Sequence, residues 1–410
     1  MCVISTKARG YKMDLFCNVS SCFRVCLIGN QAFSLVNFRG PLIADMVAAG
    51  HRVIALAPDY DEGTRSAVRA LGAEPVDFSL SRTGMNPMRD LLDMLRLAFL
   101  LRRLRPDLTL GYGIKPVIYG TIAAWLAGVP MRFSMIEGLG YVFTPPEGRE
   151  PLKRRVLRGI VENLYRTALG RATRAIFLNK DDVQEFVSRG LVSSDKAFLL
   201  GGIGVDLDEW KPAPPVKHPI TFLLAARLLR EKGIVEYAEA ARLVRSRYPD
   251  VRFILLGGLD TNPGGLRRDE IEAWVSEGIL EWKGHVPDVR PWLAQASVYV
   301  LPSYREGVPR STQEAMAMAR PVITTDAPGC RETVVDGVNG FLVPPRDVGA
   351  LADAMERFVL EPELIGRMGA ASRRIAEERF DVRIINKRMM EAMGLLEIGS
   401  KIYSIPHKLI

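Results

Sequence analysis

Glu306 and Glu314, separated by seven residues in REGVPRSTQEAMA, and Arg227 with Lys232 in ARLLREKG combine the side chains that a sugar diphosphate needs. Carboxylates accept hydrogen bonds from sugar hydroxyls, and cations stabilise a diphosphate more strongly as charge builds on it during departure. The apolar run at residues 297–303 predicts a buried strand, and residues 311–318 a helix. Glu306 then falls on the loop between them and Glu314 in the helix's first turn, where free backbone N–H groups suit a phosphate. Together the set fits a nucleotide sugar. Each pair also has a plainer reading. Ser311 with Glu314 matches the S-x-x-E capping box, which leaves Glu306 a solvated loop acid. Arg227 and Lys232 fit a basic helix start with Glu231 as local partner, Arg230 being a bystander in either case.

The elements that must position these residues are legible as alternation. RVCLIG, RVIALAP, PVDF, DLTLGY, MRFSMIEG and RAIFLN are apolar without period two, and helical stretches such as residues 40–49 and 88–103 separate them. Such runs predict parallel strands covered on both faces by helices, a doubly wound α/β domain. A second series, TFLLAAR, VRFILLGG, LEWKGH, SVYVLPS, RPVITT and GFLVPP, follows KPAPPVKHP, whose prolines can continue neither a helix nor a central strand. The expected organisation is an irregular leader at 1–22, a Rossmann-like domain at 23–210, a second at 211–379, and a terminal helix with tail at 380–410. Ligands belong at the carboxyl ends of the strands, in a cleft between the domains.

Composition narrows the classes. At 410 residues, 48% hydrophobic and 25% charged, the chain is long enough for two cores. Five cysteines and four scattered histidines give no zinc or haem spacing, and reduced thiols in a cytosolic protein are the expectation. No Asp-x-Asp pair stands at a strand end near Glu306, and Asp181-Asp182 begins a helix expected far from it, so no metal and no cofactor are anticipated. The leader has no continuous apolar core of signal length, and the longest uncharged apolar stretch, residues 117–129, is too short for a bilayer span. A single glycine at Gly29 after the first strand does not make a dinucleotide fingerprint. Nucleic-acid binding is not supported, since no stacking aromatics accompany the cations.

From Glu306 to Glu314 the chain resembles the E-x7-E element of retaining family 4 glycosyltransferases, and the resemblance extends over about residues 24–393. It implies the GT-B architecture, with the terminal helix returning to the first domain. It also implies that Glu306 contacts the donor sugar, Glu314 the ribose, and Arg227 with Lys232 the leaving diphosphate. Gly29, Gly257, Gly307, Val308 and Pro309 are then expected at the donor, with His285 and Val286 in the turn that reads the base through its backbone. GYGIKPVIYGTIAAWLAGVP followed by MIEGLGYVF looks like a bacterial subgroup that adds a hexose or N-acetylhexosamine to a lipid-diphosphate saccharide. On that side Tyr112, Lys115 and Glu137 are expected at strand ends facing the cleft. The segment SLVNFR, with Asn37 and Arg39, is the expected acceptor loop. Lys115 also fits an exposed helix-start cation and Glu137 a structural loop carboxylate.

Charge supports a lipid-linked acceptor. Residues 149–174 hold eight Arg or Lys against Glu150 and Glu162, a local +6 in a chain of +8. With Leu152, Val156, Leu157, Ile160, Val161 and Leu164 they form either a basic amphipathic helix suited to anionic lipid or a solvated basic face over a core-packed apolar stripe. The expected partners are a UDP-sugar, a polyprenyl-diphosphate saccharide and the inner face of the cell membrane. Two other classes remain open, a UDP-N-acetylglucosamine epimerase on the same architecture and a non-catalytic nucleotide-sugar sensor.

Overall fold

The computed structural model describes residues 22–81, 86–139, 143, 151–260, 262 and 264–396. Seven strands form the first sheet: β1 (Arg24–Ile28), β2 (Arg52–Ala57), β3 (Glu74–Asp77), β4 (Leu108–Tyr112), β5 (Met131–Ile136), β6 (Arg174–Phe177) and β7 (Ala197–Leu199). Six form the second: β8 (Thr221–Ala225), β9 (Arg252–Leu256), β10 (Glu281–Trp282), β11 (Val298–Leu301), β12 (Val322–Thr325) and β13 (Gly340–Val343). Both are parallel, in the orders β3-β2-β1-β4-β5-β6-β7 and β10-β9-β8-β11-β12-β13. Their central strands are buried because aliphatic side chains on both faces meet helices. The short edge strand β7 carries no sequence signal of its own: three half-buried residues pair only with β6.

Strand order reverses between β1 and β4 in the first sheet and between β8 and β11 in the second. A reversal sends neighbouring connections to opposite faces and opens a crevice at the strand ends, where doubly wound folds bind ligands. The linker is held to the second domain by Arg320, whose buried guanidinium donates to the Ala213 and Pro214 carbonyls and to Ala296 O at 2.8 Å. Past residue 380 the chain returns to the first domain. There helix Val382–Ala392 packs on helix Gly40–Ala48, and Asn386 Nδ2 donates to Asp45 at 2.7 Å. Residues 1–21 and 397–410, most of the expected leader and tail, lie outside the described residues.

One local expectation is corrected. The helix after β11 runs Arg310–Ala317 with Pro309 as its N-cap, so Glu314 stands in the second turn, not the first. No side chain caps this helix. A proline that fixes φ and lacks a donor starts it two residues earlier than a Ser311 cap would, and Glu314 instead accepts from Arg310 Nε at 2.9 Å.

Candidate functional site

The two crevices meet. Gly307, after β11, lies so close to the first domain that an added Cβ would stand 2.0 Å from Glu137 O, and Asn179 Nδ2 donates to Gly307 O at 2.6 Å. Only glycine allows that approach. The same contact corrects the expected remoteness of Asp181-Asp182. Asn179 caps helix Lys180–Ser188, which brings both acids against the Glu306 loop. Arg305 donates to Asp182 at 2.5 Å and to Glu185 at 2.7 Å, and Arg331 pairs with Asp181 at 2.9 Å. Burial pushes the Asp182 carboxyl up from its ordinary value, while the Arg305 guanidinium and Asn179 amide hold it back.

Two cavities flank this junction and share one residue, Arg227. The first, about 330 Å³, lies at the ends of β8 and β9. Leu256, Gly257, His285, Val286, Val289 and Tyr299 give it an apolar wall, and Ser311 and Glu314 stand at one side. The Glu314 carboxyl is pushed up to about 7 by burial, with Arg310 opposing. The second, about 190 Å³, lies between the domains: Gly113, Ile114, Glu137 and Tyr165 come from the first, Glu231, Lys232, Arg305 and Glu306 from the second. Lys232 Nζ pairs with Glu306 at 2.5 Å, and Arg227 pairs with Asp260 at 3.2 Å. The plainer reading with Glu231 as partner is therefore corrected: Glu306 takes Lys232 and Asp260 takes Arg227. Arg230 turns away to pair with Glu270.

The remaining expected residues divide. His285 and Val286 line the first cavity, with Gly257 beside them. Val308 is buried, and Pro309 caps the helix that carries Glu314. Glu137 lines the second cavity and pairs with Arg39, whose guanidinium lies 4.7 Å over the Tyr112 ring. Arg39 and Tyr112 are almost wholly buried, so they hold Glu137 and do not themselves project into the cleft. Gly29 makes room for this stack, since a Cβ there would meet Tyr112 Oη at 2.6 Å. Lys115 is not an exposed cation; it is tucked against Asp90 at 2.7 Å, beside Gly113 and Ile114. The Asn37 side-chain amide donates back to Phe33 O at 2.9 Å, and the Asn37 backbone carbonyl accepts from Arg310 Nη1 at 2.5 Å. Phe38, next in that segment, closes the first cavity from the opposite domain and lies under Arg310. Asn179, Arg305 and Asp260 were not anticipated: the first two act across the domains, the third meets Arg227 from another loop of the second domain, and nothing in local spacing marks either kind of contact; Phe38 belongs to the expected acceptor loop but stands at the first cavity.

An apolar pocket edged by one carboxylate, a cation, and then a cavity rimmed by carboxylates and a lysine can take a nucleoside, a diphosphate and a sugar in that order. Residues 39–201 match the family described as "Glycosyl transferase 4-like domain" and residues 219–361 the one described as "Glycosyl transferases group 1". The chain belongs to these glycosyltransferases and has the GT-B fold, two parallel-sheet domains about a cleft. The N,N'-diacetylbacillosaminyl-diphospho-undecaprenol alpha-1,3-N-acetylgalactosaminyltransferase of Campylobacter jejuni is 26% identical over 90% of this chain and 97% of its own. The UDP-Gal:alpha-D-GlcNAc-diphosphoundecaprenol alpha-1,3-galactosyltransferase of Escherichia coli is 26% identical over 66% of this chain and 70% of its own. Among solved structures, Anabaena HepE in complex with UDP and glucose is similar at 18% identity, with a TM-score of 0.71 over 91% of this chain and 100% of its own.

Proposed function

We propose that this enzyme moves a hexose or N-acetylhexosamine from a UDP-sugar to a polyprenyl-diphosphate-linked saccharide with retention at the anomeric carbon. Arg227 carries the reading: it is the one wall common to the apolar pocket and the carboxylate-rimmed cavity, so a diphosphate beside it points a nucleoside one way and a sugar the other. The acceptor class is supported by the substrates that the Campylobacter and Escherichia relatives are named for.

In the reaction the bond from C1 to the phosphate oxygen breaks and a bond from C1 to the acceptor oxygen forms. The acceptor proton passes to the departing phosphate, and the nucleoside diphosphate leaves. Arg227 and Lys232 stabilise the charge that gathers on it, a task that needs no metal ion. The Lys232–Glu306 pair is broken by the donor: the diphosphate draws the ammonium while the sugar hydroxyls take the carboxylate. No carboxylate is singled out as a nucleophile, so the acceptor attacks on the face the diphosphate leaves. The basic helix Leu152–Arg171 brings the enzyme to the anionic membrane face where such an acceptor resides.

Labelled UDP-sugars with an undecaprenyl-diphosphate disaccharide test this. Label entering the organic phase through an α-linkage, undiminished by EDTA, is the expected result. An altered free sugar nucleotide without transfer would establish the epimerase reading instead, and binding alone the sensor reading.

A further inference from the structure

Helix Pro87–Leu104 is amphipathic in the unusual sense. Its buried face carries two acids: Asp90 accepts from Lys115, and Asp93 accepts from Ser79 Oγ at 2.6 Å. Its outer face carries Met88, Leu92, Leu95 and Phe99 at i, i+4, i+7 and i+11, with Leu91 beside them. Met88 is 71% exposed and Phe99 66%.

The neighbouring helix Leu152–Arg171 repeats the pattern, with Leu152, Val156 and Ile160 exposed while Arg154 turns inward. Between the two packs the short helix Thr121–Leu126, which exposes Trp125 and Leu126 and holds Arg171 4.5 Å over the Trp125 ring. Half of the exposed large apolar side chains among the described residues thus gather on one face of one domain. A monomeric soluble surface does not concentrate them so.

Charge selects the occupant. Arg96, Arg102, Arg103, Lys153 and Arg155 are exposed on the same two helices, and apolar stripes edged by Arg and Lys match an anionic bilayer interface. Position selects it too. Ile114 is exposed and also lines the interdomain cavity, and the adjacent Lys115 is tied to Asp90 in the first turn of helix Pro87–Leu104. The leading end of the stripe therefore stands at the cavity mouth. We propose that this face, helix Pro87–Leu104 foremost, sinks into the interface of an anionic bilayer, so that attachment is apolar as well as electrostatic and a lipid-borne headgroup emerges at the cavity. The proposal rests on the lipid-linked acceptor reading.

The test is co-sedimentation of the full chain with vesicles of phosphatidylcholine and phosphatidylglycerol at low and high salt. A bond of charge alone weakens as salt shortens the screening length, and apolar insertion does not. Wild type is expected to stay bound at high salt. The triple variant Leu92→Ser, Leu95→Ser, Phe99→Ser is expected to lose binding by about a hundredfold at both salts. These side chains touch no core, so its Tm and its transfer to a short water-soluble acceptor should match wild type. Wild-type release at high salt, or a triple variant that sediments unchanged, overturns the proposal. So does a concentration-dependent dimer that the triple variant abolishes, since a second copy then covers the face. Transfer to the same lipid-linked acceptor in detergent, where no bilayer exists, keeps the two readings apart. If wild type transfers there but fails to bind vesicles, the docking face is wrong and the function stands. If it binds vesicles but never transfers, the function is wrong and the apolar face still meets lipid.

Discussion

The two cavities on either side of Arg227 are built on different principles. The nucleoside-sized one is mostly the work of one sheet: strand ends β8 and β9 and one turn supply its wall, with Phe38 alone reaching over from the other domain. The other exists only because two domains touch. Its polar side chains are held in pairs, Lys232 with Glu306, Glu137 with Arg39, and Arg305 with Asp182, the last one spanning the domains. A site made within one fold is ready before the ligand arrives, whereas a site made between folds is only as ordered as the contacts closing it. The donor's nucleoside is thus expected to bind independently of closure, and chemistry to depend on it.

The sharpest way to break that distinction is Glu306→Gln. The amide keeps the size of the side chain but gives up the charge that holds Lys232 and that, on the proposed reading, receives the donor hydroxyls. Transfer is expected to fall by a thousandfold or more, with roughly unchanged UDP affinity and Tm. A variant within a few-fold of wild-type turnover would show that the carboxylate lies outside the reaction. Arg227→Ala and Lys232→Ala come next. Each removes one cation from the junction, and kcat/KM is expected to fall by about ten- to a thousandfold. Lys232→Ala should act on kcat, because its cavity is where charge moves; Arg227→Ala should also weaken UDP itself, because it borders both. Full inhibition by chelation, reversed by manganese, would assign their task to a metal.

The sequence made the first cavity readable and the second only in part. Among the described residues, twelve of the thirteen strands fall on runs legible in the sequence, and the loop at a strand's carboxyl end is by geometry a ligand-facing position. Glu137 follows β5 directly, whereas Arg227, Glu306 and His285 lie further along their loops and are singled out there with the help of the family resemblance. What spacing cannot carry is which loops meet. Asp182 looks like an ordinary first-turn acid, and only the docking of Arg305 makes it part of the site. Lys115, just past β4, and Arg39, at the start of helix Gly40–Ala48, show the same limit: local spacing does not reveal the acids that hold them, Asp90 and Glu137. For Glu314 the local geometry differs from the expectation, since Pro309 rather than Ser311 starts its helix.

Arg305→Ala isolates closure. It leaves Asp182 buried without its cation and unties the Glu306 loop from helix Lys180–Ser188. The acceptor's kcat/KM is expected to drop about tenfold while the UDP dissociation constant stays within twofold. Loss of a partner for a buried acid also lowers stability, by about 3 kcal/mol. Arg305→Ala combined with Asp182→Asn should regain much of that stability without regaining activity. If nucleotide affinity falls as far as acceptor turnover, the two cavities are not separable and the contrast drawn here is wrong.

The smallest expected effect concerns pH and belongs to the nucleoside side. Burial lifts the Glu314 carboxyl from its ordinary 4.5 to about 7, so near neutrality it is divided between an acid and a carboxylate. Only the carboxylate accepts freely from both ribose hydroxyls, and the donor's KM is therefore expected to fall severalfold between pH 6 and pH 8. Stability runs in the opposite sense. A folded value above the unfolded one means that the native state holds the extra proton between about 4.5 and 7, so this group's contribution declines across that window and is constant above it. Donor affinity that improves with pH while Tm does not is thus the signature of a ligand-facing acid. A group serving only the fold would leave KM flat. Glu314→Gln cannot titrate and should flatten the KM profile at a value near that of wild type at low pH. A variant that keeps the full wild-type pH dependence would remove Glu314 from the ribose and return it to the Arg310 pair alone.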